Sequence, residues 1–222
     1  MKTLALIARR KDIDRAEFRD HYEEIHAPLA VRTLLEGTTR YVRHHLREEL
    51  FGRPAFDVVT GFWYRDAAAA LEIMRRTQQP AGDAIRRDEL TFMDKPANTF
   101  FAVTEHPVRG AEDPAAGFSA VALVRRPTGT DLTHFIETYE KDRIPALLDA
   151  AREPAWCLQN RAVRFGPNEP AFDVVTQLHA AGDAGLVSWA QSLAAGGAQV
   201  VLARVTEHES DLRQAGVSAK PS

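Results

Sequence analysis

The 222-residue sequence predicts an α+β fold made of two tandem β-α-β-β-α-β repeats. The segment PAFDVVT occurs twice without change, at Pro54–Thr60 and at Pro170–Thr176, with an offset of 116 residues. LIARR near the start of the chain recurs as ALVRR at the same offset. VTEH ends at His106 and again at His208, an offset of only 102, so the second repeat is about 14 residues shorter before its last strand. Repeats of this length are whole domains, because solenoid units recur every 20 to 50 residues or so.

Each predicted element has a local cause, and the first repeat shows them most clearly. KTLALIA is a short apolar run, which is typical of a buried strand. Asp14 followed by Glu17 forms an acidic capping box at the start of a helix, and Pro28 ends that helix or begins another turn. TTRYVRHHL and AFDVVTGFWY have the β-branched and aromatic content of strands. Asp66 caps a second helix, and TFFAVTE is the final strand.

These elements predict two ferredoxin-like domains with antiparallel sheets. The first domain covers residues 1–107 and bears the site. A linker over 108–116 follows, then a degenerate second copy over 117–210 and a polar tail over 211–222.

Composition excludes several classes of partner. A net charge of −3 provides no basic excess for nucleic acid or for an anionic membrane. The apolar run LALIA near the N-terminus is too short for a signal peptide or a membrane span. The single cysteine, Cys157, cannot form an internal disulfide, which favours a cytoplasmic location.

The first repeat carries motifs of a known family. They are RKDIDRAEFRDHYEEIHAPL, RYVRHHL and AFDVVTGFWY, with FMD before the last strand. From end to end this repeat resembles an EthD domain of the dimeric α+β barrel superfamily, and the second repeat resembles it more weakly. The resemblance implies two sheets packed face to face into an α+β barrel, formed within one chain or in a homodimer. Family members often carry a glutamate in the third strand, where this chain has Thr60 and Gly61.

The two repeats differ at histidines. His26 of the first repeat corresponds to Arg143, and His45 corresponds to Arg161. Both changes replace a group that titrates near neutral pH with one that stays charged. The second repeat also lacks the region DELTFMDK. We therefore expect the functional site in the first repeat.

The predicted roles follow from the chemistry of imidazole, which can take up or return a proton near neutral pH. His26 is expected to be the principal acid/base, and His45 to bind or polarise a carbonyl or phenol oxygen. Asp94 would orient an imidazole or repel a substrate carboxylate. Further contacts are expected from three polar side chains, Tyr22, Tyr41 and Arg43, and three apolar ones, Phe62, Phe92 and Met93.

Structural interpretations of the same residues stay open. His26 could bond a free carbonyl at the end of its helix, and His45 could be a partly exposed strand residue. His21 and His26 would lie about 140° apart on an α-helix, so they could not hold one metal ion from a single face. We therefore expect no metal. His106 and His208 are predicted to share a structural position, as are Asp57 and Asp173 of the repeated PAFDVVT segment.

The sequence thus predicts a lyase-type enzyme without a cofactor. It would act by histidine acid/base proton transfer, in a decarboxylation, dehydration or cyclisation of an apolar or aromatic, polyketide-like carbonyl compound. Two alternatives remain: a haem-handling monooxygenase of the same superfamily, and a barrel that binds a small molecule without catalysis.

Overall fold

The computed structural model describes residues 1–110, 118–152, 156–163 and 169–212. The first repeat has the predicted order of elements, with an additional helix before its last strand. Its elements are β1 (Lys2–Ile7), α1 (Arg15–His21), a π-turn (Tyr22–His26), α2 (Ala27–Thr33), β2 (Thr38–Phe51), β3 (Val58–Tyr64), α3 (Ala67–Thr77), α4 (Asp83–Phe92) and β4 (Thr99–Arg109).

The second repeat has the same order with one helix fewer. Its elements are β5 (Phe118–Arg125), α5 (Leu132–Thr138), a π-turn (Tyr139–Arg143), α6 (Ile144–Ala150), β6 (Trp156–Val163), β7 (Val174–Ala180), α7 (Ala184–Ala195) and β8 (Gln199–Glu209). In this fully described stretch, α7 is the only helix between β7 and β8. The residues missing from the second repeat therefore correspond to α4.

The strands form an antiparallel closed barrel in the order β1-β3-β2-β8-β5-β7-β6-β4. This confirms the predicted α+β class and the barrel that the resemblance implied. No helix of the described segments is long and apolar enough to cross a membrane.

The chain divides into two compact units, and their boundaries cut through strands. Unit 1 contains Met1–His45, Ala55–Ala102 and the chain from Glu207 onwards, and unit 2 contains Leu46–Pro54 and Val103–Thr206. Unit 1 therefore includes the last residues of the second repeat. The predicted linker begins in strand β4, and its residues 111–116 lie outside the described part of the chain. The same is true of residues 213–222 of the predicted tail.

The sheet of unit 1 places alternate residues of β2 on one face. β3 pairs with β1 and with β2, both antiparallel. Tyr41 lies opposite Phe62, and His45 lies opposite Val58. Side chains two residues apart share a face of a strand, so Tyr41, Arg43 and His45 point the same way. Tyr41 packs in the core that the helices cover, which shows that this face is the helix-covered one.

Each unit has its own apolar core between helices and sheet. The core of unit 1 includes Ala5, Ile7, Phe18, Tyr22, Val31, Leu34, Tyr41, Val58, Ile85, Phe92 and Met93. The core of unit 2 includes Ala122, Val124, Phe135, Tyr139, Leu147, Val174, Leu178, Leu186, Trp189 and Leu202.

The repeated PAFDVVT segment has the structural role predicted for it. Asp57 accepts a hydrogen bond from the backbone nitrogen of Arg9 at 3.0 Å and another from Arg15 Nε at 2.9 Å. Asp173 accepts one from the backbone nitrogen of Arg126 at 2.7 Å. In both units the aspartate thus holds the chain that leaves the first strand, which explains why both repeats retain it.

We expect Asp57→Ala to lower the free energy of unfolding by about 1–3 kcal/mol, the usual cost of leaving buried hydrogen-bond donors without an acceptor. Urea denaturation measures this change. The matched control is Asp12→Ala in the loop between β1 and α1 that Asp57 anchors, because the side chain of Asp12 is 61% exposed. Equal effects of the two substitutions would contradict the anchoring role of Asp57.

Candidate active site

A π-turn interrupts the first helix and changes the direction of its side chains. The backbone nitrogen of Ala27 donates to the carbonyl of Tyr22, five residues earlier. Residues five apart are neighbours in this arrangement, and the rings of both His21 and His26 reach the carboxylate of Asp88. The expectation that these histidines point about 140° apart was therefore wrong, because it assumed an uninterrupted α-helix.

His26 forms a buried pair with Asp88 of helix α4. Nδ1 of His26 lies 2.7 Å from Oδ2 of Asp88, and the histidine is 5% exposed. Burial acts to raise the pKa of Asp88, but hydrogen bonds from His26 and His21 outweigh it and lower that pKa. An ionised carboxylate only accepts hydrogen bonds, so Nδ1 of His26 carries a proton in this pair, and Nε2 is the nitrogen that faces away from the carboxylate.

Asp94, the expected partner of an imidazole, occupies a different place. It follows the buried Met93 at the end of α4, and its backbone nitrogen donates to the carbonyl of Ala8. Its half-buried side chain lines an open surface pocket with Arg10 and Lys11. The carboxylate that orients His26 is Asp88, six residues earlier. Both aspartates belong to the region DELTFMDK, whose absence from the second repeat was the available signal for Asp88.

His45 forms a second carboxylate pair, with Glu23 of the π-turn. Nε2 of His45 lies 2.6 Å from Oε1 of Glu23. Arg43 donates from two nitrogens to the same carboxylate, at 3.0 and 2.5 Å. Burial acts to raise the pKa of Glu23, but hydrogen bonds from His45 and Arg43 outweigh it and lower that pKa to about 2. Glu23 was not among the site residues predicted from the sequence.

The tautomer of His45 follows from this ion pair. Glu23 is ionised at neutral pH and accepts a hydrogen bond, so Nε2 of His45 is the donor. Nδ1 of His45 is buried and has no hydrogen-bond partner among the described residues. His45 thus presents Nδ1 as a base, whereas His26 presents Nε2.

Tyr22 lies between the two imidazoles. Its ring centre is 5.0 Å from that of His26 and 5.4 Å from that of His45, both in edge-on contact. Its hydroxyl lies 3.2 Å from Thr60 Oγ1 and 3.4 Å from the hydroxyl of Tyr41. Burial raises the pKa of both tyrosines, so both phenols stay protonated over the neutral range.

Aromatic rings surround this polar centre. Phe92 contacts the rings of Phe18, His21, Tyr22 and His26 at centre distances of 4.4 to 5.6 Å. Phe62 stacks on Tyr41 at 4.8 Å. Unit 1 thus brings together His26, His45, Tyr22, Tyr41, Arg43, Phe62 and Phe92 of the predicted residues. Met93 lies in the adjoining core, and Asp94 lies outside.

Unit 2 retains the frame of this site without its two histidines. Glu140 pairs with Arg161, in place of Glu23 with His45. The tyrosine that corresponds to Tyr22 is Tyr139, which is buried with a raised pKa. Arg143 stands at the position of His26, and the α4 helix that would carry a counterpart of Asp88 is absent. Within the described residues, no group of three or more His, Cys, Asp or Glu side chains could hold a metal ion.

Comparisons with known proteins identify a family model that matches the segment holding this site. Residues 10–96 match the family model described as EthD domain, and this segment contains both histidine–carboxylate pairs. The first half of the chain is therefore similar to an EthD domain. No curated protein sequence matches the chain significantly.

Solved structures with the α+β barrel fold match nearly the whole chain, including the part outside residues 10–96. An anthrone oxidase-like protein has a TM-score of 0.56 and 11% identity, covering 99% of this chain and 96% of its own. A candidate chlorite dismutase has a TM-score of 0.50 and 12% identity, covering 97% and 98%. A candidate monooxygenase from Lactobacillus acidophilus NCFM has a TM-score of 0.50 and 9% identity, covering 95% of both chains. At these identities the likeness concerns the fold alone.

We expect Glu23→Gln to lower the free energy of unfolding by about 3–5 kcal/mol, because removal of one partner leaves a buried charge unpaired. The unpaired charge is that of Arg43, whose side chain is 3% exposed. Urea denaturation at neutral pH measures the change. The control is Asp20→Asn, which removes an exposed ion pair with Arg19 and should cost no more than about 1 kcal/mol. Similar losses in both variants would contradict the buried-pair account.

The same pair predicts how stability depends on pH. The pKa of Glu23 falls from its ordinary value of 4.5 to about 2 in the folded chain. A carboxylate with a depressed folded pKa contributes its full stabilisation above its unfolded pKa and loses it as pH falls through the folded value. The difference in unfolding free energy between wild type and Glu23→Gln should therefore shrink from pH 4.5 to about 2. A constant difference across this window would argue against an ionised Glu23.

Proposed function

We propose that the site in unit 1 belongs to an enzyme that moves protons on a small aromatic carbonyl compound without a cofactor. The observation that carries this proposal is that two imidazoles contact their carboxylates through different ring nitrogens. His26 and His45 are each fixed by an ionised carboxylate through one ring nitrogen, and each offers the other nitrogen as a base. A centre with two bases suits a reaction in which one takes up a proton and the other returns one.

The chemistry begins at a carbon next to a carbonyl group. Nε2 of His26 takes the proton, and the electron pair of the C–H bond forms an enolate on the substrate. The hydroxyl of Tyr22, which accepts a hydrogen bond from Tyr41, can donate one to the oxygen where the charge develops. Return of a proton at another position then completes a dehydration or cyclisation, and loss of carbon dioxide from a β-keto acid passes through the same enolate.

The surroundings favour an aromatic substrate. Phe18, Phe62 and Phe92 line the polar centre with ring faces and edges, as described above, and aromatic partners pack well against such rings. The solved structure with a TM-score of 0.56 is that of an anthrone oxidase-like protein. Anthrone is an aromatic ketone with an acidic methylene group, so it is a suitable first probe.

Anthrone also separates the proposed reaction class from an oxidase. Proton transfer alone exchanges the methylene hydrogens with solvent and consumes no oxygen. Oxidation would convert one anthrone and one O₂ into anthraquinone and water, again after loss of a methylene proton. The likeness to an anthrone oxidase-like protein favours testing this second reaction at the same site.

The haem alternative fits the residues of unit 1 poorly. Nδ1 of His45 is buried, and the ring is enclosed by Phe18, Tyr22 and His208 at centre distances of 5.4 to 6.2 Å. His26 is similarly enclosed by Tyr22 and Phe92. Either nitrogen becomes reachable only when these rings move, and a porphyrin needs far more room than a small aromatic ketone.

We expect wild type to catalyse exchange of the methylene hydrogens of anthrone or a related aromatic ketone with D₂O, observed by proton NMR under nitrogen. His26→Ala should slow the exchange by on the order of 100-fold or more, the usual contribution of a positioned general base. The control is His134→Ala, since His134 is exposed on α5 of the other unit.

Parallel measurements of oxygen uptake in air assign the reaction class. Exchange without oxygen uptake supports the proposed proton transfer, and uptake that depends on His26 supports the oxidase. Equal exchange rates in wild type and His26→Ala for every probe that is turned over would contradict the assigned base.

A further inference from the structure

The last residues of β8 come from the second repeat but belong to unit 1. Glu209 accepts two hydrogen bonds from Arg40, at 3.0 and 3.1 Å. The backbone nitrogen of Ser210 donates to the carbonyl of Tyr41, and its hydroxyl accepts from Arg43 at 2.8 Å. Leu212 is part of the unit 1 core. This segment, Glu207–Leu212, is therefore held in a fixed position beside the site.

His208 of this segment stands at the Glu23–His45 pair. Its Nδ1 lies 3.8 Å from Oε2 of Glu23, and its ring is perpendicular to that of His45 with centres 5.4 Å apart. Nε2 of His208 is buried without a hydrogen-bond partner among the described residues, as is Nδ1 of His45. Two imidazoles therefore share the surroundings of one carboxylate.

The other copy of the VTEH motif provides a comparison. His106 ends this motif in β4, and its Nε2 lies 3.1 Å from Thr104 Oγ1. The charge near it comes from Arg161, which adds to the effect of burial in lowering the pKa of His106. The same four residues thus place one histidine beside an imidazole–carboxylate pair and the other beside an arginine. The position is shared, as the sequence predicted, but the chemical surroundings are not.

We propose that His208 is a positioning residue for the Glu23–His45 pair, so that the second repeat completes the site of the first. Its ring covers the pair, and its protonation state determines whether a cation stands beside His45. The catalytic part of this inference rests on the proposed function, and the covering part does not.

The charged groups around His208 show how it would act. Burial lowers the pKa of His208, repulsion from His45, Arg43 and Arg19 lowers it further, and attraction to Glu23 partly offsets these effects. His208 is consequently neutral at neutral pH and protonates only in acid. A proton on His208 would make it a second cationic donor to Glu23, which would weaken the hydrogen bond that fixes His45.

The catalytic test is the pH profile of the exchange reaction in His208→Phe. Phenylalanine keeps a ring over the pair but cannot take up a proton. On the acid side wild type should lose on the order of tenfold more rate than His208→Phe, because a charge at this distance is only partly screened. The rates on the alkaline side should agree. His106→Phe, the matched control, should keep the wild-type profile; identical profiles in all three proteins would overturn the proposal.

The covering role has a test that needs no substrate. Diethyl pyrocarbonate acylates accessible neutral imidazole nitrogens, and peptide mapping by mass spectrometry locates the product. Acylation of His45 should be slow in wild type and in His208→Phe. In His208→Ala it should rise by on the order of tenfold, because a smaller local opening is then enough to reach Nδ1.

The two experiments separate the two proposals. An unreactive His45 in His208→Ala, or an equal rise in His106→Ala, would overturn the covering role. If wild type turned over no probe while His45 became reactive only in His208→Ala, the proposed function would fail for those probes and the positioning of the pair by His208 would stand.

Discussion

The buried ion pair between Glu23 and Arg43 is the interaction on which the site depends. It keeps Glu23 ionised, which fixes the tautomer of His45. The same guanidinium stacks over the ring of Tyr41 at 4.4 Å and bonds to Ser210, so it also connects the sheet to the last segment of the chain. A buried pair of this kind gives little net stability compared with apolar packing, but it is costly to break. Its retention is better explained by the geometry that it imposes on neighbouring groups.

The π-turn is the second constraint, because it determines which residues of the first helix face the site. The turn places Tyr22, Glu23 and His26 around one centre, with carboxylate partners on either side of the tyrosine ring. Unit 2 has the same turn but carries Arg143 in place of His26. The turn is therefore a property of the repeat, and the chemistry depends on the side chains placed on it.

Sequence alone predicted much of the fold and the centre of the site. Internal repetition gave the order of elements, and the replacement of His26 and His45 by arginine indicated which repeat to examine. Asp88 was missed because it lies 62 residues from His26 on a helix whose packing no local pattern describes. The π-turn was missed because α-helical spacing was assumed. His208 was recognised as a shared position, but strand pairing across the repeats decides what surrounds it.

The central claim is that two buried imidazoles present opposite ring nitrogens as bases. Long-range ¹H–¹⁵N correlation spectra of the histidine rings at neutral pH test it most directly, with assignments from His26→Gln and His45→Gln. The account predicts a proton on Nδ1 of His26 and a proton on Nε2 of His45, since each of these nitrogens donates to an ionised carboxylate. Protonation of both rings on the same nitrogen would contradict it.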